Sequence, residues 1–290
     1  MKNIIGSIFV SLFFISCGGG GSAVSSTTTT SAVTFDKNVA SVTGTWYKPI
    51  VDTSWQIQLA VDSTHPLDTT YNVDLYDVDL FDTDKSTITT LKNSGKKVIC
   101  YFSAGSYENW RDDANDFPST VLGTNMDGWP DEKWLDISNE ALAPIMRARL
   151  DLAVTKGCDG VDPDNMDGYT QNSGFTITAD QQLAYNKFIA NEARTRGLSV
   201  GLKNDLNQIV ELEPYFDFAV NEQCNEYNEC NLLLPFINSG KPVFNIEYAS
   251  DYISNVGGAR DTLCHDMIAL NFKTLILSLD LDNSYRDTCN

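Results

Sequence analysis

Three acidic side chains of this sequence have the types and positions that acid–base chemistry needs. Asp162 and Asp164 stand two residues apart in the β-rich run GCDGVDPD, so a strand would place both on one face. Glu222 lies near the end of a second run, FDFAVNEQ. Carboxyl groups that face each other across a cleft, one of them protonated, are the pair that glycoside hydrolysis requires. The two histidines, His65 and His265, have no metal-ligand spacing, so we expect no metal and no cofactor.

Eight β-rich runs, each followed by a turn and a helical pattern, would position these groups. The runs are WQIQLAV, VDLYDVDLF, KKVICYFSAG, GCDGVDPD, LSVGLKND, FDFAVNEQ, KPVFNIEY and KTLILSLD. Thr178 and Gln181 form a capping box at the start of one helix, and the apolar stripe 142–153 ends at Gly157. Eight strand–helix repeats predict a single α/β domain, a (β/α)₈ TIM barrel over residues 35–290. The eight repeats favour a closed barrel over an open doubly wound sheet. The first strand has no G-x-G-x-x-G turn after it, which disfavours dinucleotide binding.

Polar residues follow the apolar part of nearly every run. In a TIM barrel the active site lies at the C-terminal ends of the strands, where these residues would meet. With 39 acidic residues in the chain, chance alone would put one or two carboxyl groups there, but it does not explain seven or eight polar ends. The side chains that we expect to bind substrate at these ends are Gln58, Asp79, Tyr101, Asp162, Lys203, Asn204, Glu247 and Tyr248.

A long loop, 103–138, follows the third run. Connections longer than about 15 residues without secondary structure are usually functional. Tryptophan faces stack on sugar rings, and we expect Trp110 to bind substrate in this way, whereas Trp134 would pin the loop to the barrel. Trp129 lies in the same loop, and Trp46 and Trp55, near the first run, are comparable candidates.

The N-terminus reads as an export signal. An apolar run at 4–15 is too short to span a membrane, which takes about 20 residues, and predicts a signal peptide over 1–17. The small residue before Cys17 resembles a bacterial lipoprotein signal, in which Cys17 would carry the lipid. Ordinary secretion, with cleavage among 16–23, is the alternative. Residues 18–34, rich in Gly, Ser and Thr, predict a flexible linker. Either route gives an exported protein, a cell-envelope lipoprotein or a secreted one.

The remaining six cysteines favour disulfides, as an even number does in an exported protein. Sequence proximity pairs Cys224 with Cys230 and Cys264 with Cys289. Cys100 and Cys158 would then form a third disulfide or remain as buried thiols.

The net charge of the chain argues against nucleic acids as partners. Twenty basic and 39 acidic residues give a formal charge of −19, which disfavours nucleic acids. We expect a monomer that contacts a membrane only through its lipid anchor and whose partner is a polysaccharide.

The sequence resembles glycoside hydrolase family 114, the endo-α-1,4-polygalactosaminidases. The matching strings run in order from Trp46 to Tyr248, and the most specific of them are GCDGVDPDN, GLKND and NEQC. The resemblance implies a (β/α)₈ hydrolase that cuts within α-1,4-linked galactosamine polymers, including partly deacetylated galactosaminogalactan.

The resemblance also implies roles for the acidic residues. Asp164 would be the nucleophile and Glu222 the general acid/base of a retaining double displacement, with Asp162 as the alternative nucleophile. An inverting route is a variant of the same reading. A surface lipoprotein that binds an amino-sugar polysaccharide without cutting it is the competing function. A polymer of deacetylated galactosamine would be a polycation over part of the neutral pH range, so a strongly acidic domain would attract it.

Overall fold

The computed structural model describes residues 34–289. The predicted signal peptide, Cys17 and all but the last residue of the predicted linker lie outside the described residues. Within 34–289, no helix combines the length and the apolar character that crossing a membrane requires.

Within the described residues, twelve strands form two sheets. The nine-stranded sheet has the order β1-β2-β3-β7-β8-β9-β10-β11-β12, parallel throughout except for β12, and its first eight strands are the eight predicted runs. The (β/α)₈ prediction is therefore confirmed. The strands are β1 (Trp55–Gln58), β2 (Leu75–Asp79), β3 (Lys97–Ser103), β4 (Ser106–Glu108), β5 (Leu122–Met126), β6 (Trp129–Leu135), β7 (Gly160–Asp164), β8 (Ser199–Lys203), β9 (Phe218–Glu222), β10 (Val243–Glu247), β11 (Lys273–Leu277) and β12 (Arg286–Thr288).

The last strands meet the first through side chains and one loop. The Trp55 indole donates to the carbonyl of Lys273 at 2.8 Å, and the backbone N–H of Leu59 donates to the carbonyl of Leu281 at 3.0 Å. On β12, the Arg286 guanidinium donates to the Gln56 amide oxygen. These contacts join β1 to the β11–β12 end of the sheet and close the barrel wall.

Helices cover the outside of the barrel. Two predicted helix boundaries are confirmed: Thr178 and Gln181 form a reciprocal capping box, and Gly157, with φ of 92°, ends the helix with the apolar stripe. The helices are α1 (Lys85–Asn93), α2 (Leu142–Lys156), α3 (Ala179–Thr195), α4 (Ile209–Leu212), α5 (Leu234–Asn238), α6 (Ser250–Ser254) and α7 (Ala259–Ala269).

Alternation along the strands separates the interior of the barrel from the layer under the helices. The interior cluster includes Trp55, Ile57, Phe218, Phe244 and Ile246. Towards the C-terminal ends of the strands, the inward positions change from apolar to charged. The barrel is thus packed with hydrocarbon at one end and with ionisable groups at the other.

The segment after β3 is folded, contrary to the prediction of a loop without secondary structure. It forms a three-stranded antiparallel sheet of order β4-β6-β5. Asp127 and Gly128, with φ of 83° at the glycine, make the tight turn between β5 and β6. Asp-Gly is a strong hairpin signal, and it was available in the string NMDGW.

All three disulfides are formed: Cys100 with Cys158, Cys224 with Cys230, and Cys264 with Cys289. The two pairings that sequence proximity favoured are confirmed. The reading of Cys100 and Cys158 as buried thiols is wrong.

Candidate active site

A cavity of about 710 Å³ opens at the C-terminal ends of the barrel strands. This is the end at which TIM barrels carry their active sites. Eight of the predicted catalytic and substrate-binding residues line it: Asp79, Tyr101, Trp110, Asp164, Lys203, Asn204, Glu222 and Tyr248.

Lys203 joins the two carboxyl groups predicted to be catalytic. Its Nζ lies 3.3 Å from Asp164 Oδ1 and 3.6 Å from Glu222 Oε2. These two oxygens are therefore at most 6.9 Å apart, the sum of the two distances. Lys203 is almost fully buried, and its neighbouring carboxylates raise its pKa against the opposing effect of burial. It thus carries a positive charge at the floor of the cavity.

Asp164 is held by two hydrogen-bond donors and by the ion pair with Lys203. The Tyr101 hydroxyl donates to Oδ2 at 2.8 Å, and the backbone N–H of Asn165 donates to Oδ1 at 2.6 Å. Burial raises the pKa of Tyr101 well above its usual range, and the Asp164 carboxylate raises it further, so the hydroxyl keeps its proton and remains a donor. The two hydrogen bonds and the ion pair with Lys203 together engage both oxygens of the carboxyl group.

Glu222 is held from two sides of the cavity. The Tyr248 hydroxyl donates to Oε1 at 2.6 Å, and the Asn204 amide donates to Oε2 at 3.3 Å. Asn204 Oδ1 in turn accepts the backbone N–H of Glu222 at 3.0 Å. Burial raises the pKa of Tyr248 well above its usual range, which keeps this hydroxyl protonated too. The geometry fixes the rotamer of Glu222 with one fewer short donor than Asp164 has.

Asp162 lies beneath the cavity and does not line it. Its side chain is fully buried, 4.0 Å from Lys203 Nζ, and neither oxygen has a hydrogen-bond partner among the described residues. Burial raises its pKa to about 7, with Lys203 opposing and Asp164 adding to the shift. Asp77, on β2, is equally buried, and burial together with Asp162 raises its pKa well above the usual range. As the strand period predicts, the side chains of Asp162 and Asp164 lie on the same face of β7. Asp162 lies deeper in the barrel interior, below the residues that line the cavity.

Gln58 and Glu247, both expected to bind substrate, face out of the barrel. Their neighbours Ile57 and Ile246 belong to the interior cluster, so alternation turns these two polar side chains the other way. Gln58 donates to the carbonyl of Pro66 at 3.2 Å and holds the loop after β1. Glu247 accepts the backbone N–H of Asn225 at 2.8 Å, which holds the segment that follows Glu222.

Three of the five tryptophans line the cavity, and two lie at the opposite end of the barrel. Trp110 and Trp129 line the cavity with about half of each residue exposed, and Trp134 lines it while nearly buried. Trp46 and Trp55 do not line it: the Trp46 indole donates to Asp217, before β9, and Trp55 stacks on Phe244 inside the barrel. Both belong to the opposite end of the strands.

Comparison with known proteins identifies the family and supports the fold. The family model "Glycoside-hydrolase family GH114" matches residues 36–290. The chain belongs to glycoside hydrolase family GH114. The crystal structure of Aspergillus fumigatus Ega3 in complex with galactosamine is 43% identical, with a TM-score of 0.80 over 86% of this chain and 99% of that one. The glycoside hydrolase domain of PelA from Pseudomonas aeruginosa shares the fold at 13% identity, with a TM-score of 0.62 over 79% of this chain and 96% of that one. Among curated protein sequences, no match was found.

This GH114 glycosidase has site residues that sequence reasoning missed. Arg111 is buried and contacts Asp79 at 2.6 Å, Glu108 at 2.7 Å and Asp82 at 3.0 Å, so Asp79 is engaged by a cation at the cavity wall. Glu132, on β6, also lines the cavity. Both Arg111 and Glu132 lie in the segment after β3, where an unstructured loop was expected. Glu132 pairs with Glu108 of β4, whereas the Asp127-Gly128 turn joins β6 to β5 only, so that turn by itself does not reveal the pairing.

The cavity of this GH114 chain is strongly acidic. Ten carboxyl groups line it against two cationic side chains, Arg111 and Lys203. The carboxyl groups are Asp62, Asp79, Asp82, Glu108, Asp127, Glu132, Asp164, Asp167, Glu222 and Asp280. A cleft lined by one sign of charge attracts ligands of the opposite sign.

We expect the unfolding free energy of the GH114 domain to fall as the pH rises from 5 to 8. Burial raises the pKa of Asp162 and Glu247 to about 7 and that of Asp205 to about 8. A pKa raised in the folded state means that the folded protein holds protons that the unfolded chain, with carboxyl pKa values near 4, releases. The resulting stability is complete below about pH 4 and is lost as the pH rises through 7 to 8.

Urea unfolding at several pH values measures this slope. Asp205→Asn is the matched variant, because Asp205 has a left-handed φ of 47° that asparagine also tolerates. It should make the slope shallower by removing one titrating group. Stability that is flat or rising between pH 5 and 8 in the parent protein would contradict the prediction.

Proposed function

We propose that this GH114 hydrolase cuts within α-1,4-linked galactosamine polymers by a retaining double displacement, with Asp164 as nucleophile and Glu222 as general acid/base. The observation that carries the proposal is the placement of both carboxyl groups around Lys203 on the floor of one cavity, no more than 6.9 Å apart at their nearest measured oxygens. This upper limit of 6.9 Å on the oxygen–oxygen distance is compatible with the carboxyl separation of retaining enzymes, about 5 to 5.5 Å. It also overlaps the lower end of the range for inverting enzymes, about 6.5 to 9.5 Å.

The hydrogen bonds support this assignment of roles. Asp164 has donors at 2.6 and 2.8 Å in addition to Lys203, which suits a group that attacks as a carboxylate. Glu222 has one donor at 2.6 Å and longer contacts at 3.3 and 3.6 Å, so it is held by fewer short hydrogen bonds than Asp164, as suits the group assigned to proton transfer. Asp162, the alternative nucleophile, lies below the cavity and has no access to a substrate carbon.

The proposed reaction has two steps. In the first, Asp164 attacks the anomeric carbon while Glu222 donates its proton to the glycosidic oxygen, so the leaving chain departs with a hydroxyl group. In the second, Glu222 removes a proton from water, which attacks the same carbon and releases Asp164. Side chains supply every proton and the nucleophile, so this route needs no cofactor.

The substrate class is supported by charge and by the relative of known structure. Ega3, at 43% identity, was crystallised with galactosamine. A deacetylated galactosamine polymer is a polycation, and ten carboxyl groups around the cavity favour it over neutral or anionic chains. Trp110 and Trp129, both half exposed, provide faces for sugar rings. Tyr101, Asn204, Tyr248, Asp79 and Lys203 complete the proposed contacts.

Digestion of purified α-1,4-polygalactosamine tests the function. Size analysis of early products should show chains of intermediate length, as endo cleavage gives, and proton NMR should show the α-anomer first, as retention gives. Release of the β-anomer first would replace the retaining route with an inverting one. Binding of the polymer without any shortening would assign the competing, purely binding function.

We also propose that the protein is exported as a monomer and anchored through lipidated Cys17. Three disulfides support an oxidising compartment. In a bacterial host the chain should incorporate labelled palmitate and sediment with membranes, whereas Cys17→Ser should do neither. Cleavage elsewhere among residues 16–23, read by mass spectrometry of the mature N-terminus, would favour plain secretion instead.

A further inference from the structure

Glu132 differs from most of the other carboxyl groups around the cavity. Asp79, Asp82 and Glu108 are paired with Arg111, and Asp164 and Glu222 with Lys203. Glu132 is half-buried, yet it forms no ion pair with a lysine or arginine of residues 34–289. Three of the other carboxyl groups without a lysine or arginine partner, Asp62, Asp127 and Asp280, are exposed. The fourth, Asp167, is half-buried and accepts a hydrogen bond from Gln171.

A chain of hydrogen bonds fixes Glu132 relative to Asp164. The Ser106 hydroxyl donates to Glu132 Oε2 at 2.6 Å. The Asn165 amide donates to Ser106 Oγ at 3.3 Å and to Ser103 Oγ at 2.9 Å. Asn165 is the residue whose backbone N–H contacts Asp164. The other oxygen of Glu132 has no hydrogen-bond partner in the described part of the chain and is free to accept one from a ligand in the cavity.

The surroundings of the Glu132 carboxyl group disfavour its ionised form unless a cation binds beside it. Burial, together with the nearby Glu108 and Asp164, raises the pKa of Glu132 to about 7, while the Ser106 hydrogen bond and Arg111 oppose the shift. An ammonium group bound beside Glu132 would reverse this shift, because an opposite charge nearby favours the ionised form. Binding would therefore expel the proton that Glu132 holds.

We propose that Glu132 binds the 2-ammonium group of a galactosamine unit in the cavity and thereby selects free amines over N-acetylated ones. The inference rests on the proposed function and deepens it by assigning the acetylation preference to one residue. An N-acetyl group has no positive charge and offers one N–H donor, so it would leave Glu132 partly desolvated and without a charged partner. Charge-assisted hydrogen bonds are roughly twice as strong as neutral ones, which gives the site its discrimination.

Glu132→Gln removes the charge and keeps the shape, since its amide oxygen still accepts from Ser106. Asp131→Asn is the matched control: it removes the same charge from the next residue of β6, whose exposed side chain contacts Asn109 outside the cavity. Each change is placed in an Asp164→Asn background and titrated calorimetrically with an α-1,4-galactosamine oligomer and its N-acetylated counterpart. Binding is thereby measured without turnover.

We expect Glu132→Gln to raise the Kd for the free-amine oligomer roughly 10- to 100-fold. Asp131→Asn should change it less than about threefold because exposed charges are screened. At pH 6.5 the background protein should release protons to the buffer on binding, and Glu132→Gln should abolish the release. A merely structural role would weaken both oligomers equally and leave proton release unchanged, which overturns the inference.

The outcomes also separate this inference from the proposed function. An active protein whose Glu132→Gln variant binds both oligomers as the background does keeps the proposed function and refutes the role of Glu132. A protein that never shortens polygalactosamine, yet binds the free-amine oligomer through Glu132, refutes hydrolysis of that polymer and keeps the amine site. If the free-amine oligomer does not bind to the background protein, the amine site is refuted directly.

Discussion

Asp164→Asn and Glu222→Gln each lower kcat on polygalactosamine by roughly 10³-fold or more, while the circular dichroism spectrum and melting temperature stay close to those of the parent. Asparagine cannot form the covalent intermediate, and glutamine cannot transfer a proton. Both replacements keep the size of the side chain and its contacts with Tyr101 or Tyr248. They also remove one negative charge from beside Lys203, so a modest change in stability is compatible with the expectation.

Asp167→Asn is the control for general charge effects. Asp167 lines the same cavity and is three residues from Asp164, but within residues 34–289 its hydrogen-bond partner is Gln171 and it forms no ion pair with Lys203. It should lower kcat/KM far less than the two catalytic replacements. Activity of Asp164→Asn or Glu222→Gln within about tenfold of the parent, on a protein purified free of deamidated product, would remove that residue from the mechanism.

Added azide separates the two roles. In Asp164→Ala, azide takes the place of the nucleophile and attacks the α-linked substrate from the opposite face, so a β-glycosyl azide forms. In Glu222→Ala, Asp164 still forms the β-linked intermediate, and azide displaces it to give an α-glycosyl azide. This second variant needs a substrate with a good leaving group, because it lacks the acid. The opposite pattern would exchange the two assignments.

The fold was predictable because it depends on a repeated pattern. Eight apolar strands separated by helices leave few arrangements in which every strand is covered, and parallel pairing with right-handed crossovers leaves fewer still. Local chemistry then fixed the boundaries that the structure confirms, such as the Thr178–Gln181 capping box and the left-handed Gly157. The inserted sheet was missed because its strands alternate weakly, and only the Asp127-Gly128 turn marked it.

The site was predictable in its position and only partly in its membership. Polar strand ends locate the cavity, since all parallel strands end at the same side of the barrel. Whether a polar residue faces inward depends on register, which Gln58 and Glu247 illustrate: both lie beside an inward isoleucine and therefore face the helices. Whether an inward side chain reaches the cavity depends on its distance from the end of the strand: Asp162, two residues before Asp164, lies below the cavity. The contribution of Glu132 and Arg111 depends on an inserted hairpin folding over the barrel mouth, and local sequence does not specify that docking.

Lys203→Met should destabilise the protein by about 3 to 5 kcal/mol at neutral pH, because removing one partner of a buried ionic cluster leaves uncompensated charge. Lys203 contacts Asp164 and Glu222 directly and Asp162 at 4.0 Å, and it lies near Asp77, whose carboxyl group is also fully buried. Methionine fills the volume of the lysine stem, so the cost is electrostatic rather than a cavity. Lys241→Met is the control: Lys241 pairs with Glu213 alone, at 2.6 Å near the surface, and should cost about 1 kcal/mol or less.

The pH dependence identifies the cause of that loss. Without Lys203, the folded-state pKa of Asp162 must rise further, because Lys203 is the cation that opposes its upward shift. A raised folded-state pKa stabilises at low pH and loses its contribution as the pH rises, so the deficit of Lys203→Met should be small near pH 4 and largest near pH 8. Adding Asp162→Asn should restore part of the stability at pH 8, since one buried charge fewer then needs a partner. A deficit that is equal at pH 4 and pH 8, measured by urea unfolding, would assign the loss to packing. In that case, Lys203 would not be the charge that allows two carboxyl groups to share one cavity floor.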